Sequence, residues 1–196
     1  MNPDEIYLRM AMQQAHRAGE AGEVPVGAVI IHPAVGIVGK AHNQVETLKD
    51  ATAHAEILAI TQAAAALGDW RLDGCTLYVS KEPCPMCAGA IVFSRISRVV
   101  WGLSDPKRGG QSRFGLLNCP DLIHRPEVRP GLMEEECRQQ FVSFFRQLRA
   151  SGVQKPGAER SLESEPFPAD SEAPPMLKPT DGPKKKDAAD GYFPDA

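Results

Sequence analysis

The sequence lacks the long apolar segments of membrane and secreted proteins. It has no run of about 18 uncharged apolar residues, and the start, Met1-Asn2-Pro3-Asp4-Glu5, has no apolar core of signal-peptide length. These absences argue against a membrane span and a secretory leader, and they predict a cytoplasmic protein.

Cysteine is also scarce, and an odd count of five does not suit a disulfide framework. Metal ligation by two cysteines and burial of the others fits that count better.

An overall excess of positive charge is absent too. Residues 1–150 hold 16 basic and 16 acidic side chains, which argues against nucleic-acid binding driven by net charge but allows a local basic face. Residues 151–196 differ, with 8 of the 17 prolines, 6 Lys or Arg and 9 Asp or Glu. Such a composition buries too little apolar surface to offset its ordering entropy. The sequence therefore predicts one domain, residues 1–150, and a disordered tail, residues 151–196.

Two short stretches carry residues suited to metal chemistry, Ala53 to Glu56 (AHAE) and Glu82 to Ala90 (EPCPMCAGA). Between them they offer one imidazole nitrogen and two thiolates, from His54, Cys84 and Cys87. A structural zinc is closed by four protein ligands, so a set of three leaves one position for water, which zinc makes acidic. Glu56 would be the nearby proton carrier. The stretches predict one catalytic zinc per chain.

Local sequence places both stretches at helix starts. Pro85 suits the first position of a helix capped by Cys84, near whose positive end both thiolates would be stabilised. Thr52 is expected to cap the other helix, residues 53–67.

The order H-x-E followed by P-C-x-x-C is the known signature of zinc-dependent nucleobase deaminases. A bare C-x-x-C could instead belong to a structural-zinc or redox site, yet neither a second C-x-x-C nor a His pair completes a closed site here. The full pattern therefore favours a hydrolytic deaminase.

The apolar runs predict an α/β fold with a mixed sheet. Two strands would form a hairpin and two would be parallel, joined by the second zinc helix, so that the site lies at the carboxyl edge of the sheet. Within the first run, Gly27 has no side chain and would let another group approach the strand backbone closely. The expected strands are 24–31, 36–42, 75–80, 97–101 and 127–129, and the outer helices are 4–22 and 133–150.

The chain resembles the bacterial tRNA adenosine deaminases of the cytidine-deaminase superfamily over residues 4–150. The resemblance is carried by both zinc stretches, Glu23 to Ala28, Asn43, Trp70-Arg71-Leu72 and Phe144-Phe145-Arg146. It implies a three-layer α/β/α fold and a homodimer that converts the wobble adenosine of a tRNA anticodon to inosine. It also implies substrate contacts at Asn43, Val26, Asp105, Lys107, Phe145 and Arg146, beside zinc held by His54, Cys84 and Cys87 and proton transfer by Glu56.

Two other functions stay open at this level. The same zinc site could deaminate a free nucleobase or nucleoside of the guanine or cytosine type. A non-catalytic subunit could keep zinc as a structural element, although loss of the proton carrier would then be expected and Glu56 is present. Between residues 104 and 150, 8 basic side chains against 6 acidic ones favour RNA over a free base.

Overall fold

The structure is a computed structural model that describes residues 2–151. The predicted disordered tail therefore lies outside the described residues, apart from Ser151. The elements are α1 Pro3–Glu20, β1 Gly27–His32, β2 Gly36–His42, α2 Val45–Leu48, α3 Ala55–Leu67, β3 Thr76–Lys81, α4 Pro85–Phe93, β4 Arg98–Leu103, a 3₁₀ turn Leu116–Asn118, β5 Glu127–Arg129 and α5 Glu134–Ala150. None of the helices in this part of the chain is both long and apolar enough to cross a membrane.

The five strands form one mixed sheet in the order β2-β1-β3-β4-β5. β1 pairs antiparallel with β2 and β3, whereas β3, β4 and β5 run parallel to one another. The predicted hairpin and the predicted parallel pair are both confirmed. The strand expected from Val24 begins only at Gly27, because the amide of Val26 donates to the carbonyl of Val24 in a tight turn (2.7 Å).

Alternate strand residues face opposite helical layers, since side chains along a strand point to alternate sides. In β1, Ala28 and Ile30 belong to the apolar cluster that includes α3 and α4, whereas Val29 belongs to the cluster of α1 and α5. β3 and β4 alternate in the same way around Tyr78 and Val100. The sheet is thus the middle of three layers, as the resemblance implied.

Gly27 shows why one helix can lie so close to the sheet. A Cβ at this position would stand 2.2 Å from the carbonyl oxygen of Ala11 and 2.4 Å from the amide nitrogen of Ala15. No side chain fits there, so the backbone of α1 rests directly on β1. The close approach predicted at Gly27 is confirmed.

Asp4 ties the first turn of α1 to three strands. Its side chain is 11% exposed and accepts two hydrogen bonds from the Arg98 guanidinium (2.8 and 2.9 Å), one from the Tyr78 hydroxyl (2.7 Å) and another from Arg129. The hydrogen bond from Arg98 holds the pKa of the Asp4 carboxyl well below its usual range. This ion-pair network positions α1 across β3, β4 and β5.

Candidate functional site

Two helices begin at the centre of the site, and a predicted ligand stands at the N-cap of each. His54 precedes the first residue of α3, and Cys84 precedes Pro85, the first residue of α4. The cap predicted at Cys84 is confirmed, but the one at Thr52 is wrong. Thr52 donates from its amide and hydroxyl to Asp50 Oδ1 (2.8 and 2.7 Å), and the helix starts three residues later.

His54, Cys84 and Cys87 form one compact cluster. The Nδ1 atom of His54 lies 3.6 Å from Cys84 Sγ and 3.4 Å from Cys87 Sγ, and the two sulfurs are 3.6 Å apart. Tetrahedral zinc with its usual bond lengths has ligand–ligand edges of about 3.6–3.8 Å. The sulfurs are much too far apart for a disulfide. The spacing and the donor set therefore fit a zinc ion with one open coordination position.

Hydrogen-bond contacts among these three side chains shift their pKa values. A hydrogen bond with Cys87 lowers the pKa of Cys84 to about 4, so Cys84 is a thiolate at neutral pH. The same contact, together with burial, raises the pKa of Cys87. The contact with Cys84 also raises the pKa of His54. A divalent cation at this point would displace the protons of these ligands, as metal binding to thiols does.

Glu56 lies in the first turn of α3 and is 3% exposed. Its Oε2 atom is buried and has no hydrogen-bond partner among residues 2–151. Burial raises the pKa of the Glu56 carboxyl, and its neighbours His54, Cys84 and Cys87 all influence it. Because buried polar atoms normally have partners, the free oxygen marks a place for a donor that the protein does not supply, such as water or a substrate.

Glu23 is a second buried carboxylate near the site, and it fixes the orientation of Asn43. It accepts hydrogen bonds from Asn43 Nδ2 (3.1 Å), from the amides of Glu46 and Thr47 (3.2 and 2.7 Å) and from the Thr47 hydroxyl (2.9 Å). Burial would raise the pKa of Glu23, but these hydrogen bonds outweigh it and lower the pKa. Since a carboxylate only accepts, the amide group of Asn43 must turn its nitrogen to Glu23.

Backbone contacts place Asn43 beside the cluster. Its amide donates to the carbonyl of Val26 (3.0 Å), and the next residue, Gln44, donates to the carbonyl of Ala53, directly before His54 (3.0 Å). The structure thus brings Asn43 and half-buried Val26 to the wall of the site. From the sequence, Glu23 was identified only as part of the family resemblance. Its position directly before an apolar strand was the one local signal that could have indicated a buried, functional carboxylate.

The loop after β4 holds two more of the predicted contact residues. Lys107 is exposed, but the carboxylate of Asp105 is engaged within the protein: it accepts from Lys81 Nζ and from the amides of Lys107 and Arg108 (3.2 and 3.1 Å). Burial would raise the pKa of Asp105, but the hydrogen bond and charge of Lys81, together with the amides of Arg108 and Lys107, outweigh it and lower the pKa. The Asp105 side chain therefore stabilises the conformation of its own loop.

Phe145 and Arg146 lie on α5, which packs on the opposite face of the sheet from α3 and α4. Phe145 contacts the rings of Phe141 and Phe144, with centroids 5.0 and 5.2 Å apart, and Arg146 is exposed. Within residues 2–151, no hydrogen bond or ring contact joins either residue to the cluster of His54, Cys84 and Cys87.

Comparison with known proteins gives consistent matches. The sequence model of the cytidine and deoxycytidylate deaminase zinc-binding region matches residues 1–103. The tRNA-specific adenosine deaminase of Bacillus subtilis is 49% identical over 150 residues, which is 76% of this chain and 92% of that protein. The protein of the same name from Aquifex aeolicus is 47% identical over 146 residues, covering 74% and 95%.

Solved structures extend the match. A tRNA:A34 deaminase studied for A-to-I editing at the wobble position aligns with a TM-score of 0.67 and 42% identity, over 69% of this chain and 99% of the other. A guanine deaminase from Bacillus subtilis aligns with a TM-score of 0.51 and 33% identity, over 76% and 95%. The fold is thus shared with solved structures described as a tRNA:A34 deaminase and a guanine deaminase.

Proposed function

This chain belongs to the cytidine and deoxycytidylate deaminase family, and we propose that it hydrolyses the 6-amino group of adenosine in tRNA, which leaves inosine. The observation that carries the chemistry is the Oε2 atom of Glu56, which has no hydrogen-bond partner in the described part of the chain and lies beside a cluster of three zinc-ligand atoms. Identity of 40–49% to relatives named as tRNA adenosine deaminases supports the substrate class.

The reaction needs a nucleophile and a movable proton. Zinc held by His54, Cys84 and Cys87 would supply a Lewis acid that makes water acidic at neutral pH. Glu56 takes the proton of the attacking water and delivers it to the ring nitrogen next to C6, and then assists departure of the amine as ammonia. Its burial and its raised pKa suit a group that holds a proton between these steps.

Asn43 is proposed to hold the base. Glu23 accepts from one N–H of the Asn43 amide, and this leaves the Oδ1 acceptor and the second N–H for a base edge. The amide is already oriented before a substrate arrives, so binding does not have to order it. Half-buried Val26 would form an apolar part of the same wall.

The proposed RNA target is the wobble adenosine of an anticodon stem-loop. A base in a single-stranded loop can be moved into a pocket at lower unstacking cost than a base in a duplex. Beside the cluster, exposed Lys107, Arg108 and Arg113 offer charges for phosphates, and exposed Phe114 offers a ring for stacking.

A substrate comparison tests this function. Purified protein is incubated with an anticodon stem-loop RNA carrying adenosine at the wobble position, with the same RNA carrying guanosine there, and with free adenosine, guanine and cytosine. Inosine is expected in the first RNA only. Turnover of free guanine or cytosine without inosine in the RNA would assign the chain to the free-base deaminases, which share its fold.

The active enzyme is proposed to be a homodimer that uses α4 as part of its interface. α4 is apolar on all sides, and its outer face exposes Met86 and, two turns on, Phe93, which is 61% exposed. A helix without a polar face is normally buried, so this face is suited to a second copy of the chain.

The cytoplasmic location expected from the sequence stays a prediction, and so does the zinc domain at residues 1–150.

A further inference from the structure

We propose that Glu82 is a positioning residue that holds residues 105–115, here termed the cationic loop, in one conformation beside the zinc ligands, so that RNA meets a preformed surface. This inference rests on the proposed function and adds to it. It assigns a role to a buried carboxylate that neither binds the metal nor transfers a proton in that mechanism.

Glu82 is 3% exposed, and both of its carboxylate oxygens point at the cationic loop. Oε1 accepts from the amides of Gln111 (3.2 Å) and Ser112 (2.6 Å). Oε2 accepts from the amide of Asp105 (2.7 Å) and from the hydroxyl of Ser112 (2.6 Å). One side chain thus joins the start of the loop to residues six and seven positions further on.

The arrangement specifically needs a carboxylate. Three of the four donors are backbone N–H groups, which cannot reverse their direction. A carboxylate presents only acceptors, whereas the nearly isosteric amide of glutamine must turn an NH₂ group toward one pair of donors. Glutamine therefore loses the hydrogen bonds at one end without a change in packing volume, and leaves buried donors unpaired.

The loop also contacts the segment that carries the zinc ligands. The amide of Gly110 donates to the carbonyl of Pro83 (2.7 Å), and a Cβ at Gly110 would lie 3.0 Å from the Cys84 carbonyl oxygen and 2.6 Å from Ala88 Cβ. Glu82 stands only two residues before Cys84 in the chain. The cationic loop therefore rests both on Glu82 and on the segment around Cys84.

The side chains that the loop turns outward suit RNA. Lys107, Arg108 and Arg113 are exposed, and no carboxylate within residues 2–151 forms a salt bridge with them. Phe114 is 57% exposed next to Arg113. Unpaired cations and an exposed ring on a fixed loop are the elements of a phosphate and base contact surface. We expect Glu82 to act on the substrate through these side chains.

Gly109 offers a second way to test the same contact. A Cβ there would lie 2.2 Å from Glu82 Oε1 and 2.3 Å from its Cδ. The carboxylate is held by four hydrogen bonds and cannot move aside while they are kept. Gly109→Ala should therefore displace the loop while leaving the charge of Glu82 in place.

The experiment compares the full-length zinc enzyme with Glu82→Gln and Gly109→Ala. The matched controls are Glu135→Gln, at an exposed position of α5, and Gly19→Ala, where the nearest atom to the new Cβ is 3.5 Å away in Phe144. Zinc content, amide hydrogen exchange and steady-state kinetics on the anticodon stem-loop RNA are measured for each. The controls are expected to match the wild type in all three.

Both test variants should keep one zinc per chain. Gly109→Ala should exchange the amides of Asp105, Gln111 and Ser112 at least about 10-fold faster, because their acceptor is displaced, and Glu82→Gln should do the same for the amides at the end that its NH₂ group faces. KM for the RNA should rise about 10-fold or more, with kcat changed about 3-fold or less, since the metal cluster and Glu56 are intact. A purely structural role would change exchange and melting temperature without this separation of KM from kcat.

Three outcomes would overturn the inference: unchanged exchange in the loop, faster exchange with an unchanged KM, or loss of zinc from both variants. If Glu82→Gln does not fold, Gly109→Ala decides. Failure of the proposed function gives a different result, because the wild-type enzyme would then leave the RNA unmodified. In that event the exchange measurement still decides whether Glu82 orders the loop.

Discussion

The three buried carboxylates around the site differ in how many hydrogen bonds they accept. Glu23 and Glu82 each accept four, from donors that the fold holds in place. Glu56 leaves Oε2 without a hydrogen-bond partner among residues 2–151. A carboxylate whose oxygens are all engaged by the fold holds structure, whereas Glu56, with a free oxygen and a raised pKa, can exchange a proton.

The first prediction concerns Glu56→Gln. The substitution keeps the volume of the side chain but removes its ability to carry a proton, so kcat should fall about 10⁴-fold or more, at the top of the range for general acid–base assistance. Zinc content and substrate KM should stay near wild-type values. Metal analysis and single-turnover kinetics check both parts.

The contrasting variant is Cys84→Ala. It leaves Glu56 in place but only two protein ligands, so zinc and activity should be lost together. Loss of zinc from Glu56→Gln would instead make Glu56 a ligand. Substantial activity in Glu56→Gln would mean that another group carries the proton.

At the scale of elements, α1 is docked by charge as well as by apolar packing. The second prediction is that Asp4→Asn destabilises the protein by about 2 kcal/mol at pH 7, because Arg98 and Arg129 lose their shared carboxylate in a mostly buried place. The melting temperature should fall by roughly 4–8 °C. Glu127→Gln removes an exposed partner of the same Arg98 and should change the melting temperature little.

The same network predicts a pH dependence with a definite sign. The folded pKa of Asp4 is lower than its unfolded value of about 4, so its contribution to stability is fully present above that pH and is lost progressively as the pH falls toward the lower, folded pKa. The difference in free energy of unfolding between wild type and Asp4→Asn should therefore be smaller at pH 3 than at pH 7, as measured by denaturation curves at both values. An equal difference between them at both values would contradict this assignment.

Short sequence patterns correctly predicted the features that depend on neighbouring residues, such as helix starts and strand positions. Pro85 defined the start of α4, and alternating and apolar runs gave the strands to within a few residues. The cap at Thr52 was wrong because its side chain bonds Asp50 instead. The functions of Asp4, Glu23 and Glu82 could not be read from patterns, since their partners lie about 20–125 residues away in the chain.

For the whole molecule, the third prediction concerns self-association. If α4 contributes to a homodimer, Phe93→Glu places a charge in a desolvated interface and should convert the dimer to a monomer with a folded zinc site. Sedimentation or light scattering measures the mass, and zinc content reports the fold. Val35→Glu, at an equally exposed apolar position in the hairpin turn, is the control that should keep the wild-type mass.

The fourth prediction is that a chain ending at Ser151 keeps the melting temperature and deaminase activity of the full chain. The composition of residues 152–196 predicts no packed core, so their removal should cost little stability. A large fall in melting temperature would contradict the division into domain and tail. A loss of RNA affinity alone would give the Lys184-Lys185-Lys186 cluster a role in phosphate contact.

The position of the two ligands at helix N-caps creates a conflict between stability and activity. Within residues 2–151, neither His54 nor Cys84 accepts a capping hydrogen bond from an amide of its own helix, so each helix forgoes the roughly 1 kcal/mol that a Ser or Asp cap provides. Laboratory selection for thermal stability on metal-depleted protein should therefore enrich Ser or Asp at positions 54 and 84, and produce stable but inactive chains. The same selection with zinc present should retain His54 and Cys84, because a bound metal stabilises only the fold that can hold it.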